Sequence, residues 1–169
     1  MTGAQFWILG VNTYLSTTRE IQIINGSMGG CTASYAATNT TAWTGINCIK
    51  ALAPDLTILC LGINDIANAR TGYDTDMQSI ISAAQISGSV LLLSWVPSGT
   101  TAYDNTASSY RAMFRQLAKT NGLPVIETEF KRWPTYAITN AQGWMADTVH
   151  PTNTGYAELA QTVCDYLRK

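Results

Sequence analysis

Four short apolar runs, separated by stretches of helical periodicity, restrict this chain to very few folds. The runs cover residues 21–24, 56–61, 89–96 and 124–129. They are closer to continuously hydrophobic than to alternating, which is the pattern of parallel strands covered on both faces. Between them, apolar residues recur at helical spacing. Residues 42–52 precede the second run, 77–87 carry Met77, Ile80, Ile81 and Ala84, and 107–120 carry Tyr110, Met113, Phe114 and Leu117. The third of these ends on Asn121-Gly122, a C-cap signal. A last helix is expected over 154–167, with Leu159, Val163 and Leu167 on its apolar face, and a first one over 4–15, aligning Trp7, Ile8, Val11 and Leu15. The alternation predicts one α/β domain, a three-layer α/β/α sandwich around a mainly parallel sheet. A chain of 169 residues has room for one such core.

Charge narrows the range of partners. Lys, Arg, Asp and Glu make up only 12% of the chain and the net charge is −1, so no electrostatic field favours nucleic acid or an anionic membrane. No apolar stretch approaches the roughly 18–20 residues of a membrane span. Residues 1–5 lack the basic n-region of a signal peptide. Cys31, Cys48, Cys60 and Cys164 show no C-x-x-C spacing, and one histidine cannot complete the usual zinc sets, so no metal is expected. Cys60 lies within an apolar run and reads as a small buried hydrophobe; Cys31 and Cys48 could pair in an oxidising compartment.

Three motifs carry chemistry. The only histidine, His150, follows Asp147 by three residues and precedes Pro151. Asp147 can fix the imidazole tautomer and leave the other ring nitrogen to take a proton from a nucleophile. Two further loops follow apolar runs: Asn25-Gly-Ser-Met-Gly-Gly-Cys-Thr32 and Gly62-Ile-Asn-Asp65. Both should emerge at the same edge of the sheet, beyond the C-terminal ends of the strands, where such folds bind ligands. Glycine lets backbone amides face a cleft. An amide from the first loop and the side chain of Asn64 could together donate to one developing oxyanion. Asp65 is expected to hold its own turn or a neighbour's backbone. Trp95, Trp133, Tyr136 and Trp144 could line the cleft mouth or pack the core, and core packing is favoured for Trp95. Residues 97–106 are read as a mobile loop.

In their order and distances these motifs resemble the SGNH hydrolases, the GDSL-type esterases and lipases. The resemblance runs from Ile21 to the C-terminus. It implies a flavodoxin-like sandwich and hydrolysis of a carboxylic ester through an acyl-serine, with no cofactor. By position, Gly30 and Asn64 would be the oxyanion donors, and Asp147 and His150 the triad acid and base. The family also suggests acetyl or short acyl esters, on carbohydrate or on a small molecule. The low charge and Thr/Asn-rich surface would suit a secreted or virion-borne deacetylase.

One block departs from the pattern. The family's nucleophile lies in a Gly-Asp-Ser block on an interior first strand, and no such tripeptide occurs here. Aligning residues 8–12 with that strand would leave only 13–20 to link two parallel strands, too few for a crossover of about a dozen. The first strand is therefore expected to be missing, and to come from an upstream segment or a second chain. Three alternatives stand beside this. Ser27, in Asn25-Gly-Ser-Met-Gly29, is one substitution from a G-x-S-x-G nucleophile elbow. The chain could be a non-catalytic module that binds glycan or mediates assembly. An acyltransferase could use the same site.

Overall fold

Residues 21–41 and 43–168 are described by the computed structural model, with backbone alone at 101–106. Three strands, Leu56–Leu59 (β1), Ser89–Leu93 (β2) and Val125–Ile126 (β3), form one parallel sheet in the order β1-β2-β3. Leu56 stands opposite Ser89, Leu59 opposite Leu92, and Leu93 opposite Ile126. The helices are Ala33–Thr38 (α1), Gly45–Leu52 (α2), Ile63–Ala67 (α3), Tyr73–Gln85 (α4), Thr101–Asn121 (α5), Tyr136–Ala141 (α6) and Asn153–Leu167 (α7).

The central strand shows why the sandwich has three layers. Side chains alternate across a strand, so Val90 and Leu92 face one way and Leu91 and Leu93 the other. Val90 and Leu92 join a core with Met77, Ile80 and Ile81 of α4 and Phe114 and Leu117 of α5. Leu91, Leu93 and Ile126 pack against Leu159, Val163 and Tyr166 of α7. Both faces of β2 are thus dry, as its unbroken hydrophobicity requires, and each buried leucine contributes about 1.5–3 kcal/mol. Gly122, at φ +62°, closes α5 in the left-handed conformation expected of Asn121-Gly122.

Several expectations are corrected. Residues 21–24 form no strand: Ile21 and Ile23 are 92% and 91% exposed. Among the described residues they pair with no strand, and this segment and β1 both line a groove of about 400 Å³. Gln22, Ile24, Met28, Leu56, Ile58 and Leu61 are among the residues that line it. Cys60 is exposed as a residue, yet burial pushes its thiol up to about 11, in keeping with the buried character expected of it. Cys31 and Cys48 are free thiols. Run 124–129 gives only a two-residue strand, because Thr128–Phe130 turns into a 3-10 helix. Residues 97–106 are only partly a loop, since α5 begins at Thr101. The expected helix over 4–15 lies outside the described residues.

Candidate active site

Gly62 opens α3 directly after β1 at φ +146°, and a Cβ there would sit 2.4 Å from the Trp95 ring. Only glycine lets the chain cross the indole this closely. Trp95 is buried edge-on against Phe114, a core role as expected. Two tyrosines brace the turn: Tyr73 donates its hydroxyl to the Leu61 carbonyl (2.9 Å), and Tyr110 donates to the carbonyls of Arg70 (2.6 Å) and Asp65 (3.3 Å). Asn64 therefore rides on a turn fixed from below.

The two glycine-containing loops are cross-linked. Asn64 Nδ2 donates to the Cys31 carbonyl at 3.0 Å. In return the Ala33 N–H, at the start of α1, donates to both carboxylate oxygens of Asp65. Asp65 is fully buried, which pushes its carboxyl pKa up; the Ala33 N–H and the Arg70 charge act in the opposite direction. An amide NH2 has two donors, so Asn64 keeps one N–H beyond its bond to Cys31. Gly30 sits at φ +73° in the turn closed by Cys31 N–H on the Met28 carbonyl (3.2 Å). Thr32 then caps α1 by accepting from Tyr35 N–H.

Ser27 is placed differently. Its N–H and hydroxyl both donate to Asn25 Oδ1, at 3.0 and 2.5 Å. No strand precedes it, and α1 begins only at Ala33. The strand–turn–helix elbow is not formed among the described residues. The neighbouring thiols offer no ready substitute, because burial pushes both Cys31 and Cys48 up, away from the reactive thiolate.

Asp147 and His150 are brought together by their own loop. Asp147 Oδ2 lies 2.8 Å from His150 Nδ1, while Oδ1 accepts the N–H groups of Val149 (2.8 Å) and His150 (2.7 Å). Those two backbone bonds, then the imidazole, hold the Asp147 carboxyl down at about 2. The carboxylate is ionised at neutral pH, so it accepts a hydrogen bond from Nδ1–H and leaves Nε2 as the free acceptor. Both side chains are more than half exposed. The loop is closed by Ala146 N–H on the His150 carbonyl (2.8 Å) and by an antiparallel bridge between Met145 and Pro151. Behind it, Trp133 is fully buried and packs on the half-buried Trp144 at 5.2 Å between ring centroids. Gly155 of α7 fits against the Trp144 carbonyl, where a Cβ would come within 2.2 Å.

One connection was not legible in the sequence. The turn after β2 holds the loop, with Gly99 N–H donating to the Thr148 carbonyl (2.7 Å) and the buried Ser98 hydroxyl donating to the same oxygen (3.1 Å). Asn64 thus follows β1, with the Gly30 loop tied to it through the Cys31 carbonyl, and the turn that anchors the dyad loop follows β2. Both lie beyond the C-terminal ends of neighbouring parallel strands.

A model of the GDSL-like lipase/acylhydrolase family matches residues 12–158. The chain belongs to this family. Its fold is similar to that of an acetylxylan esterase from Geobacillus stearothermophilus, solved as a catalytic mutant, with a TM-score of 0.59 and 18% identity. The match covers 79% of this chain and 66% of the esterase's chain. No curated protein matches the chain in sequence. Among the described residues no helix is long and apolar enough to cross a membrane.

Proposed function

We propose that this chain is the greater part of an SGNH-type esterase that hydrolyses acetyl or other short acyl esters, on carbohydrate or on a small molecule. The observation that carries this reading is the pinned Asp147–His150 pair, with Nδ1 engaged and Nε2 left to accept a proton. In the proposed reaction a serine Oγ attacks the ester carbonyl and its proton passes to His150 Nε2. Asp147 stabilises the imidazolium. The Gly30 N–H and the second Asn64 Nδ2–H receive the tetrahedral oxyanion. Collapse breaks the bond to the alcohol, which leaves with the proton from Nε2. Water then attacks the acyl-serine, again giving a proton to His150. The second collapse releases the carboxylic acid and returns a proton to serine.

The serine is proposed to come from a strand outside this 169-residue sequence. The groove lined by Gln22, Met28, Ile58 and Asn64 supports this: among the described residues β1 pairs only with β2, so its other edge has no partner. A strand placed there would bring its C-terminal residue to the oxyanion candidates. The test is labelling with a fluorophosphonate, read by peptide mass spectrometry. The expected result is no adduct on the chain alone and an adduct on the added serine when an apolar segment ending in Gly-Asp-Ser is fused upstream. An adduct on Ser27 in the unfused chain would overturn the external nucleophile. No adduct in either form would favour a binding module.

A further inference from the structure

The Thr148–Val149 peptide unit is held at both ends. Its carbonyl accepts Gly99 N–H and the Ser98 hydroxyl, and its N–H donates to Asp147 Oδ1. We propose that Ser98 is a positioning residue for the Asp147–His150 pair, acting through this peptide plane. The geometry gives the route. A peptide unit is rigid, so fixing the carbonyl direction also fixes the N–H direction. That N–H sets where Asp147 Oδ1 lies, which in turn aims Oδ2 at His150 Nδ1. Two bonds onto the carbonyl also polarise the unit and make its N–H a better donor to the carboxylate.

Ser98 suits this task. It is buried, and its oxygen both donates to Thr148 and accepts the Thr100 N–H at 3.0 Å, so its hydroxyl is locked in one orientation. Thr100 is the N-cap residue of α5, and the hydroxyl therefore ties the dyad loop to the longest helix of the sandwich. Exposure gives the clamp its importance: both dyad side chains are more than half open to water, so hydrogen bonds rather than packing hold their geometry among the described residues. Among the described residues, the interactions that favour Asp147 ionisation come from Val149 N–H, His150 N–H and the His150 ring, so a change at Ser98 reaches it through the first of these.

The test needs no turnover, which separates it from the hydrolase reading on which its catalytic meaning rests. The chain has one histidine, so the imidazole nitrogen signals of 15N-labelled protein assign themselves. At about pH 9, where an imidazole is neutral, the wild type should hold the Nδ1–H tautomer. Ser98→Ala should raise the other tautomer about three- to tenfold, the equivalent of one net hydrogen bond. It should also move the Asp147 carboxyl titration upward from about 2. Ser98→Thr keeps the hydroxyl and should restore both readouts; Ser98→Cys, a closer match in volume, should fall between and serves if the alanine variant does not fold. Tautomer and carboxyl titration unchanged in a folded Ser98→Ala or Ser98→Cys variant would reduce Ser98 to a cap for Thr100. A wild type with no tautomer bias would also overturn the proposal.

Discussion

Asp65 takes the Ala33 N–H on both carboxylate oxygens, at 3.0 and 3.1 Å, inside a fully buried site. This bond fastens the start of α1 to α3, and hence the Gly30 loop to the turn that carries Asn64. It is the structural role expected of Asp65, now with a named partner. Asp65→Ala should leave the Ala33 N–H buried and unpaired, lowering stability by about 1–3 kcal/mol. The pH dependence has a defined sign. Burial raises the folded-state pKa of Asp65, so the folded chain binds the proton more tightly than the unfolded one. Its contribution is fully present below the ordinary carboxylate value of about 3.9 and is lost as pH rises through the folded value. Urea unfolding of wild type and Asp65→Asn across acid to neutral pH checks this. Their stability difference should shift in favour of Asp65→Asn as pH rises through that window.

Asp147 has the opposite sign. Its carboxyl is held at about 2 by two backbone N–H groups and the imidazole, so its contribution is present above about pH 3.9 and is lost as pH falls through about 2. Carboxyl 13C titration should therefore give a midpoint near 2, with the Val149 and His150 amide shifts moving in step. In a catalytically complete form, His150→Ala should remove nearly all esterase activity while far-UV CD stays unchanged. Asp147→Asn should lower kcat by about 10⁴, the loss expected when the imidazole tautomer is no longer fixed. Retention of most activity by either variant would sink the triad assignment.

The strands show how far the sequence could be read. Residues 56–61 and 89–96 were recognisable because an unbroken apolar run needs cover on both faces, and β2 has it from α4 and α5 on one side and α7 on the other. Residues 21–24 carry the same signal and form no strand, because strand formation depends on a neighbour that no local pattern encodes. Helices α1, α3 and α6 were missed for a related reason. They are five or six residues long, too short for a periodic stripe, and are held by caps such as Thr32 and Thr135 and by tertiary contacts. The chemistry of the candidate site was more legible than its support. Asp147 and His150 meet within one loop of four residues, whereas the Ser98 hydroxyl acts on a carbonyl fifty residues away.

Asn64 offers a kinetic test that separates transition-state binding from substrate binding. One of its two N–H groups is occupied by the Cys31 carbonyl, which fixes the direction of the other. If that second donor meets the oxyanion, Asn64→Ala should lower kcat by about 10²–10³ in a catalytically complete form, with KM little changed. A rise in KM with kcat preserved would assign Asn64 to the ground state instead. The variant should also lose the tie to Cys31, so a matched CD and thermal scan is part of the measurement.

The groove beside β1 predicts where an added strand would leave its mark. Leu56 and Ile58 are 39% and 41% exposed on a strand whose outer edge carries no partner among the described residues. Backbone groups on such an edge bond to water and exchange readily, while those paired with β2 do not. Fusing the apolar Gly-Asp-Ser segment upstream should therefore slow hydrogen exchange at the outward-facing β1 amides and leave β3 unchanged. If the segment is instead offered as a separate peptide at 100 times its Kd, binding should add about 2.7 kcal/mol of stability by mass action. Protection confined to α7 would place the segment on the other face of the sheet. It would also remove the geometric support for an external serine reaching Gly30 and Asn64.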